Sequence, residues 1–425
     1  MTSRGARHAL RHRDFARFFW AAAISNAGAW MQIVALPAIL FDLTDSATWL
    51  GVSSVASMLP AVILTPYAGV LADRVSRRKI LIVTQSVQMV VAFVLFGWYS
   101  SGTLNPWGIV GCGFIAGCAT GIQTAAWQSF VPLLVPRHLL LEAVKLNSAQ
   151  YTLARALGPA VAGVLVKVSG PGLALFVDAI TFVLVIGALV VSRPRIGGGV
   201  RPEGSVWAVM RGGASFVWRH RPLRLAMEVA FLGAVCGQAL QFMAPAVAER
   251  VYGHPSTDNA GLLVALGCGA VASWLFFQWS ADRFRRSTRL TVSLPLYAVS
   301  IAVIASTHAY AVGVVGFTLN GLAHVQLAMS LNTLIQGSVP DHVRGRTTSF
   351  YVLGLLAGIP TGSFVMGRLA DVIGMRSALL IDAAVFGAFS AYLIATGRLR
   401  HMDVARVGDH HDEADEMITA PGLAT

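Results

Sequence analysis

The chain has 425 residues, of which 55% are hydrophobic and only 12% charged, with a mean hydropathy of +0.65. A water-soluble surface of this size cannot be built from so few charges, which excludes an ordinary soluble enzyme or binding module. The formal charge of +12 and pI near 10.2 raise nucleic acid as a partner, so the placement of the basic residues has to decide between nucleic acid and membrane.

At about 20 apolar residues per crossing, the sequence predicts membrane helices at 18–41, 48–71, 80–99, 108–131, 150–168, 173–192, 223–247, 260–280, 290–307, 310–336, 349–368 and 377–397. The expected fold class is an all-α integral membrane protein with twelve transmembrane helices. The basic start before the first span resembles a secretory leader, but the apolar run behind it has full spanning length and lacks a small-residue cleavage site, so it is expected to stay as a helix. Cys112, Cys118, Cys236 and Cys268 fall inside spans without ligand spacing and read as packing residues.

If the amino terminus is cytoplasmic, alternate loops collect all of the 32 Lys and Arg residues except Arg155, Lys167, Arg250, Arg368 and Arg376. That asymmetry is the positive-inside pattern. It places both termini in the cytoplasm, and it turns the basicity into a topology signal that leaves no role for nucleic acid. Arginine far outnumbers lysine, and Ala and Gly abound, which suggests a GC-rich bacterial source and the plasma membrane as location.

The chain is internally duplicated. Ala72-Asp73-Arg74-Val75-Ser76-Arg77-Arg78 returns half a chain later as Ala281-Asp282-Arg283-Phe284-Arg285-Arg286. The Pro136-Arg137 loop returns at Pro340–Arg344, and the Asp178-Ala179 region returns at Asp382-Ala383. The repeat spans six helices, an even number, so both halves share one orientation, a parallel repeat of two six-helix bundles. The expected division is 1–192 and 223–400 for the bundles, 193–222 for a cytoplasmic linker, and 401–425 for a polar cytoplasmic tail. In the linker, Val206 to Arg221 is basic and amphipathic; it either lies on the anionic leaflet or is a solvated connector. His410 and His411 in the tail lack further ligands, and no metal site is expected.

With these residues in view, the chain resembles the major facilitator superfamily across residues 15–400. The segment from Gly69 through Asp73 to Lys79 is similar to that superfamily's loop 2–3 signature, with Ser76 replacing the usual glycine. The second copy departs further: Gln278 stands where the first has Gly69, and the loop is one residue shorter. Leu157-Gly158-Pro159-Ala160-Val161-Ala162-Gly163 in span five is similar to the motif of the superfamily's proton-driven exporters. The surroundings of Trp30 and the loops at Pro132–Pro136 and Pro340–Arg346 resemble the transmembrane secretion effector branch, which includes the enterobactin exporter. The arginine that many drug antiporters carry in span four is absent, and Arg155 is its nearest substitute.

The resemblance implies a gate built on Gly69, Asp73, Arg74, Arg77 and Arg78, with Asp282, Arg283 and Arg286 as the second copy. Asp73 is either a latch that holds one state or a permanent topology anchor. Gly158, Pro159 and Gly163 make span five bent and closely packed. Gly113, Gly117 and Gly121, and likewise Gly354, Gly358 and Gly362, form small-residue stripes that permit close packing or sliding.

Charge inside a membrane is costly, so Arg155, Glu228, Asp178 and Asp382 are the proton-coupling candidates. Arg155 is open to an anchoring role, Glu228 to an interfacial ion pair, and the two equivalent aspartates to a shared structural role. Asn26, Trp30, Gln123, Trp127, Gln238, Gln241, Asn320 and His324 are the candidates for lining a substrate cavity, with inter-helix bonding as the other reading for each. The sequence carries no nucleophile and base pair, metal cluster, phosphate loop or Walker motif, so no enzymatic activity is expected.

The resulting expectation is a secondary transporter, monomeric, using the proton gradient and no cofactor, that exports an amphipathic small molecule such as an antibiotic or siderophore. Uptake of a nutrient, and a non-transporting sensor or scaffold, are the alternatives.

Overall fold

A computed structural model describes residues 8–192, 206–281, 283–339 and 341–403. Within it, the side chains of Asp73, Arg155, Pro159 and residues 341–346 are outside the description, as is Asp282 altogether. The first bundle comprises α1 (Arg13–Thr44), α2 (Ala47–Arg74), α3 (Arg77–Ser100), α4 (Pro106–Phe130) and one run, Leu140–Val191, that breaks at Gly170 into α5 (140–169) and α6 (171–191). The helix α7 (Val206–Arg219) follows. The second bundle begins with α8 (Arg221–Gly233), a π-helical turn (Ala234–Gln238) and α9 (Leu240–Arg250), which together make one crossing. It continues with α10 (Asn259–Ser280), α11 (Arg286–Ser306), α12 (Tyr310–Ser338), α13 (Asp341–Ile373) and α14 (Met375–Ala395).

Among the described residues, 11 helices are long and apolar enough to cross a membrane, and α5 is the twelfth crossing of the fold. The side chains turned outward include Ile63, Val83, Trp107, Val168, Val292 and Val372, all exposed. Such a belt is costly in water and favourable in lipid. The start of α1 and the finish of α14 share one end of the molecule, the terminal end, opposite the far end.

The duplication is visible in backbone geometry as well as in residues. Gly170 (φ 78°, ψ 166°) joins α5 to α6, and Gly374 (φ 87°, ψ 148°) joins α13 to α14. That region is open essentially to glycine alone, so the same sharp turn recurs at equivalent places. Arg78 and Arg286 also match. Arg78 donates to the carbonyls of Leu189 (2.7 Å) and Val190 at the end of α6, and Arg286 donates to the Met402 carbonyl (2.6 Å) beyond α14. Arg78 thus satisfies end carbonyls of α6 that have no partner within the helix, and Arg286 ties down the segment that follows α14.

The structure departs from the sequence reading in local ways. Helices start earlier at the terminal end than predicted, at Leu140, Arg286 and Asp341 instead of 150, 290 and 349. Long basic side chains let a helix continue through the interface, where their charged heads reach water. Span seven, expected as one regular helix, contains the π turn. At the start of the tail the Asp403 carboxylate accepts from the Ser287 amide (2.8 Å) and hydroxyl (2.5 Å) at the start of α11. Of the linker, α7 packs against α13 and α8 with Val217 buried and Trp218 exposed.

The glycine stripes are packing surfaces. A side chain at Gly117 would collide with the Ser57 carbonyl of α2, and one at Gly121 with Ala61. Gly358 sits against Ala234, and Gly362 against the Val235 carbonyl, so the stripe of α13 receives the π turn; Gly354 has open space. We expect Gly117→Leu to cost about 1 to 3 kcal/mol through overpacking, lowering the thermal unfolding midpoint of the protein in detergent. Gly111→Leu, where an added side chain meets nothing within 4 Å, is expected to leave the midpoint nearly unchanged.

Candidate functional site: a gate across the bundle seam

Two helix pairs cross the seam between bundles, α2 with α13 and α5 with α10. At the far end both pairs come into backbone contact. A Cβ at Gly51 would stand 2.6 Å from the Phe364 Cα, one at Gly367 would strike the Ala47 carbonyl, and one at Gly163 would lie 2.6 Å from the Ala260 Cβ. Gly163 of the predicted span-five motif is therefore on the seam. Gly158 instead faces the Trp30 side chain within the first bundle, where an added Cβ would lie 2.5 Å away.

The chemistry of this closure centres on Asp371, near the end of α13. Its carboxylate accepts from the Ala47 amide (2.9 Å), the Thr48 amide (2.9 Å) and the Ser46 hydroxyl (2.6 Å). These are the first donors of α2, which belongs to the other bundle. Ser46 sits at the N-cap of α2 but makes no cap bond with its own side chain. The cap is supplied across the seam, where an anion meets the positive end of a helix.

Arg250, at the end of α9, completes the arrangement. Its guanidinium donates to Asp371 (2.7 Å) and to the Asp45 carbonyl (2.5 Å), and lies 5.2 Å over the Phe41 ring. One cation thus holds both bundles, in a half-buried setting where its side chain is 25% exposed and that of Asp371 18%. Ser256 donates to Asp42 (2.5 Å) and Asn259 to the Val34 carbonyl (3.0 Å), adding two more bonds across the same end. Tyr252, in the far-end turn after α9, donates to the Ile304 carbonyl (2.8 Å), and burial pushes its phenol above the usual range.

Asp371, Arg250 and Ser46 were not among the residues singled out from the sequence, yet a signal was present. Gly367-Arg368-Leu369-Ala370-Asp371 repeats the pattern of Gly69-Val70-Leu71-Ala72-Asp73, each at the C-terminal end of a spanning helix. One copy lies at the terminal end and the other at the far end.

The terminal-end gate candidates are placed differently. Asp73 and Asp282 lie outside the described side chains. Gly69 has open space beside it, Arg74 is exposed, and Arg77 is half-buried in the first turn of α3. Arg78 and Arg286 clamp their own bundles as described, and Arg283 folds back on Trp279, donating to its carbonyl (2.7 Å) and stacking 4.9 Å over its ring.

Of the coupling candidates, Arg155 is outside the described side chains. Glu228 pairs with Arg224 at 3.8 Å one turn before it, and both are substantially exposed. Asp178 is fully buried, and neither of its oxygens has a hydrogen-bond partner. It faces Gly28 of α1, where an added Cβ would stand 3.0 Å from its Oδ1. Asp382, its equivalent, receives a hydrogen bond from the Cys236 thiol in the π turn, with Oδ2 unpartnered. Gly28 and Cys236 thus occupy corresponding places opposite corresponding carboxyls.

The polar cavity candidates divide into groups. Gln123 accepts from Gln85 (3.0 Å), and Asn320 donates to Ser300 (3.1 Å), so both join neighbouring helices of one bundle. Trp127 packs on Phe18 at 4.9 Å between ring centres. His324 lies 3.3 Å from the Tyr297 hydroxyl, which also donates to the Gly233 carbonyl (3.2 Å) at the edge of the π turn. Asn26, Trp30, Gln238 and Gln241 are half-buried.

Twelve spans in two parallel bundles, meeting along a seam of small residues and capped across it, define a major facilitator transporter. The model of the transmembrane secretion effector family matches residues 5–419, and the chain belongs to that family. It is 27% identical over 410 residues to the multidrug efflux pump Tap of Mycolicibacterium fortuitum, covering 91% of this chain and 96% of that one. It is 20% identical to the staphyloferrin A transporter of Staphylococcus aureus, with 84% and 90% covered, and 22% identical to macrolide efflux protein A of Streptococcus pyogenes, with 86% and 92% covered. The fold superposes on the nucleoside transporter NupG with a TM-score of 0.74 at 11% identity, covering 90% of this chain and 98% of that one. The protein is a multi-pass membrane transporter and not an enzyme.

Removing the far-end cap is expected to loosen the gate. Charge-assisted bonds in this half-buried setting are worth about 1 to 3 kcal/mol in total after solvent screening, which is roughly 5-fold to 150-fold in a two-state ratio. Spin labels on Leu43 and Val372, both exposed at the far end on opposite bundles, report the separation. In Asp371→Asn or Arg250→Ala the population of long distances should rise; unchanged distance distributions in both variants would remove Asp371 from the gate.

Proposed function

We propose that this protein exports an amphipathic small molecule, an antibiotic, siderophore or other secondary metabolite, by proton-driven alternating access. The whole-length match to Tap, a protein described as a multidrug efflux pump, is the observation that carries the direction of transport. The similarity to the staphyloferrin A transporter supports the siderophore class. The basic residues favour a cytoplasmic terminal end for both termini, in a bacterial plasma membrane. On that orientation the far end faces outward, and the cap of Asp371 on α2 belongs to the state closed to the outside and open to the cytoplasm.

The rocking unit is the six-helix bundle. The bundles at 1–192 and 223–400, joined by 193–222, are expected to be the two rocking units, and one chain is expected to act as a monomer. Energy comes from the proton gradient without a cofactor. Among the carboxyls carried within spans, Asp178 is fully buried and Asp382 half-buried, while Glu228 is exposed beside Arg224. That ranks the two aspartates ahead of Glu228 as proton carriers, since exchange coupled to a conformational change needs a site that solvent does not reach in every state. His324, half-buried beside the Tyr297 hydroxyl that reaches the edge of the π turn, is the first candidate for substrate contact in the second bundle.

The test uses inverted membrane vesicles with an inside-acid gradient followed by a pH-sensitive dye. Hydrophobic macrolides and siderophores added in turn should dissipate the gradient, and Asp178→Asn or Asp382→Asn should abolish the response while the protein stays folded. Dissipation retained in both variants moves coupling elsewhere. No response to any compound, with accumulation of a nutrient by intact cells, replaces export with uptake.

A further inference from the structure

Three helices run toward the far end and finish there on acids. Helix α1 ends with Asp42 in its last turn and Asp45 at its C-cap, α9 carries Glu249 beside its final Arg250, and α13 carries Asp371 in its last turn. The unpaired carbonyls of a helix C-terminus already make that end negative, so cations belong there. Arg250 is the only basic residue in the last turns of these three helices. The acids are a local choice that costs stability, which marks the place for a separate task.

Arg250 and Asp371 form the cap described above, and Arg250 also lies 3.4 Å from the Asp45 carboxylate. Glu249 is left over. It is exposed, has no ion pair among the described residues, and feels the charges of Asp42 and Asp45 together with that of Arg250. Asp42 and Asp45 are exposed as well, and they belong to the first bundle while Glu249 belongs to the second. Like charges therefore face each other across the seam, beside the bond that Ser256 donates to Asp42. The other titratable groups at this end are engaged elsewhere. His254 pairs with Asp258 (3.0 Å) in the turn after α9 and stacks on Tyr310, Tyr252 donates to the Ile304 carbonyl, and Arg376 and His308 reach the Val251 carbonyl at 3.5 and 3.1 Å. Arg368 is exposed on α13, one turn before Asp371.

We propose that Glu249 is an acid sensor on the gate: a proton taken up from the solution at the far end removes the repulsion across the seam and favours closure. Closing brings Glu249 up to Asp42 and Asp45, so the closed state holds that proton more tightly than the parted state. By linkage, the closed population grows as the pH falls. Asp371 acts with the opposite sign, because its anion supplies the cap and protonating it releases the start of α2. Glu249 stays in contact with solvent in the closed state, so its proton regulates the gate and is distinct from the proton that drives export. That the far end faces outward rests on the orientation proposed above; the response of closure to pH does not.

Spin labels on Leu43 and Val372 of the purified full-length protein, in detergent at low salt, give the ratio of short to long distances at about pH 7.5 and about pH 4.5. The ratio should rise about 2- to 5-fold on acidification. Glu249→Gln should show at the higher pH the ratio that the wild type reaches at the lower, and should lose most of the response. Replacing both His254 and His308 by Gln should leave the response intact, and about 0.5 M salt should shrink it, as it does for charges in solvent. A ratio independent of pH, a fall instead of a rise, a rise that salt leaves unchanged, or loss of the response in the histidine variant would overturn the proposal. A rise that survives in Glu249→Gln would also overturn it and place the response on the carboxyls within the spans. None of these readouts uses transport, so failure of the export reading leaves them unchanged.

Discussion

A helix that begins at a seam leaves its first amide hydrogens without partners, and in α2 these are satisfied from the other bundle. The Asp371 carboxylate takes up the amides of Ala47 and Thr48 together with the Ser46 hydroxyl. This makes closure of the far end a requirement of backbone hydrogen bonding as well as of side-chain contact. Other features of the seam follow from it. Gly51 and Gly367 must be small for α2 and α13 to approach closely enough for the cap to reach, and Arg250 must stand between Asp371 and the Asp45 carbonyl so that the partly buried anion is paired.

The internal repeat is a repeat of physical solutions more than of residues. Gly170 and Gly374 turn the chain in the same unusual backbone region, Arg78 and Arg286 each hold a carbonyl at or just beyond the last helix of their bundle, and Asp178 and Asp382 face α1 and the π turn from equivalent places. The two halves nevertheless differ inside their bundles. Asp178 faces a glycine, whereas Asp382 faces a thiol that can donate to it. The second half carries the π turn that receives Gly358 and Gly362, while the equivalent crossing in the first half, α1, is helical throughout. Duplication supplied the frame, and departures from it mark the places where the halves have separate tasks.

Composition alone makes the spans legible, because a bilayer admits little besides long apolar helices. Their terminal-end starts were not legible, because Arg286 and the polar residues from Leu140 to Lys145 read as loop when their charged heads are in fact compatible with a helix at the interface. The loop 2–3 signature stands out in the sequence through its run of arginines. Its counterpart ending at Asp371 lacks that run and merges into an apolar span, and its partners on α2 lie more than 300 residues away, with Ser46 separated from it by 325 positions. No periodicity reaches that far. The π turn was equally hidden, since Ala234-Val235-Cys236-Gly237-Gln238 carries no proline and only the single Gly237 as a break, and the turn packs against the glycines of α13.

The strength of the gate bears on how such a machine can turn over. Moving a two-state equilibrium from 1:99 to 99:1 takes about 5.5 kcal/mol of differential binding, so a gate much stronger than that would trap the closed state against any ligand. The far-end cap stays below this limit because each of its parts is only half-buried: Asp371 and Arg250 keep 18% and 25% of their side chains exposed, and water can replace their partners when the seam parts. Backbone contact at glycines contributes dispersion without interlocking side chains, which would resist separation. The seam thus combines a polar cap that water can replace with apolar surfaces that do not interlock, and the short side chains at Gly51, Gly163, Ala260 and Gly367 let the helices come close enough for both.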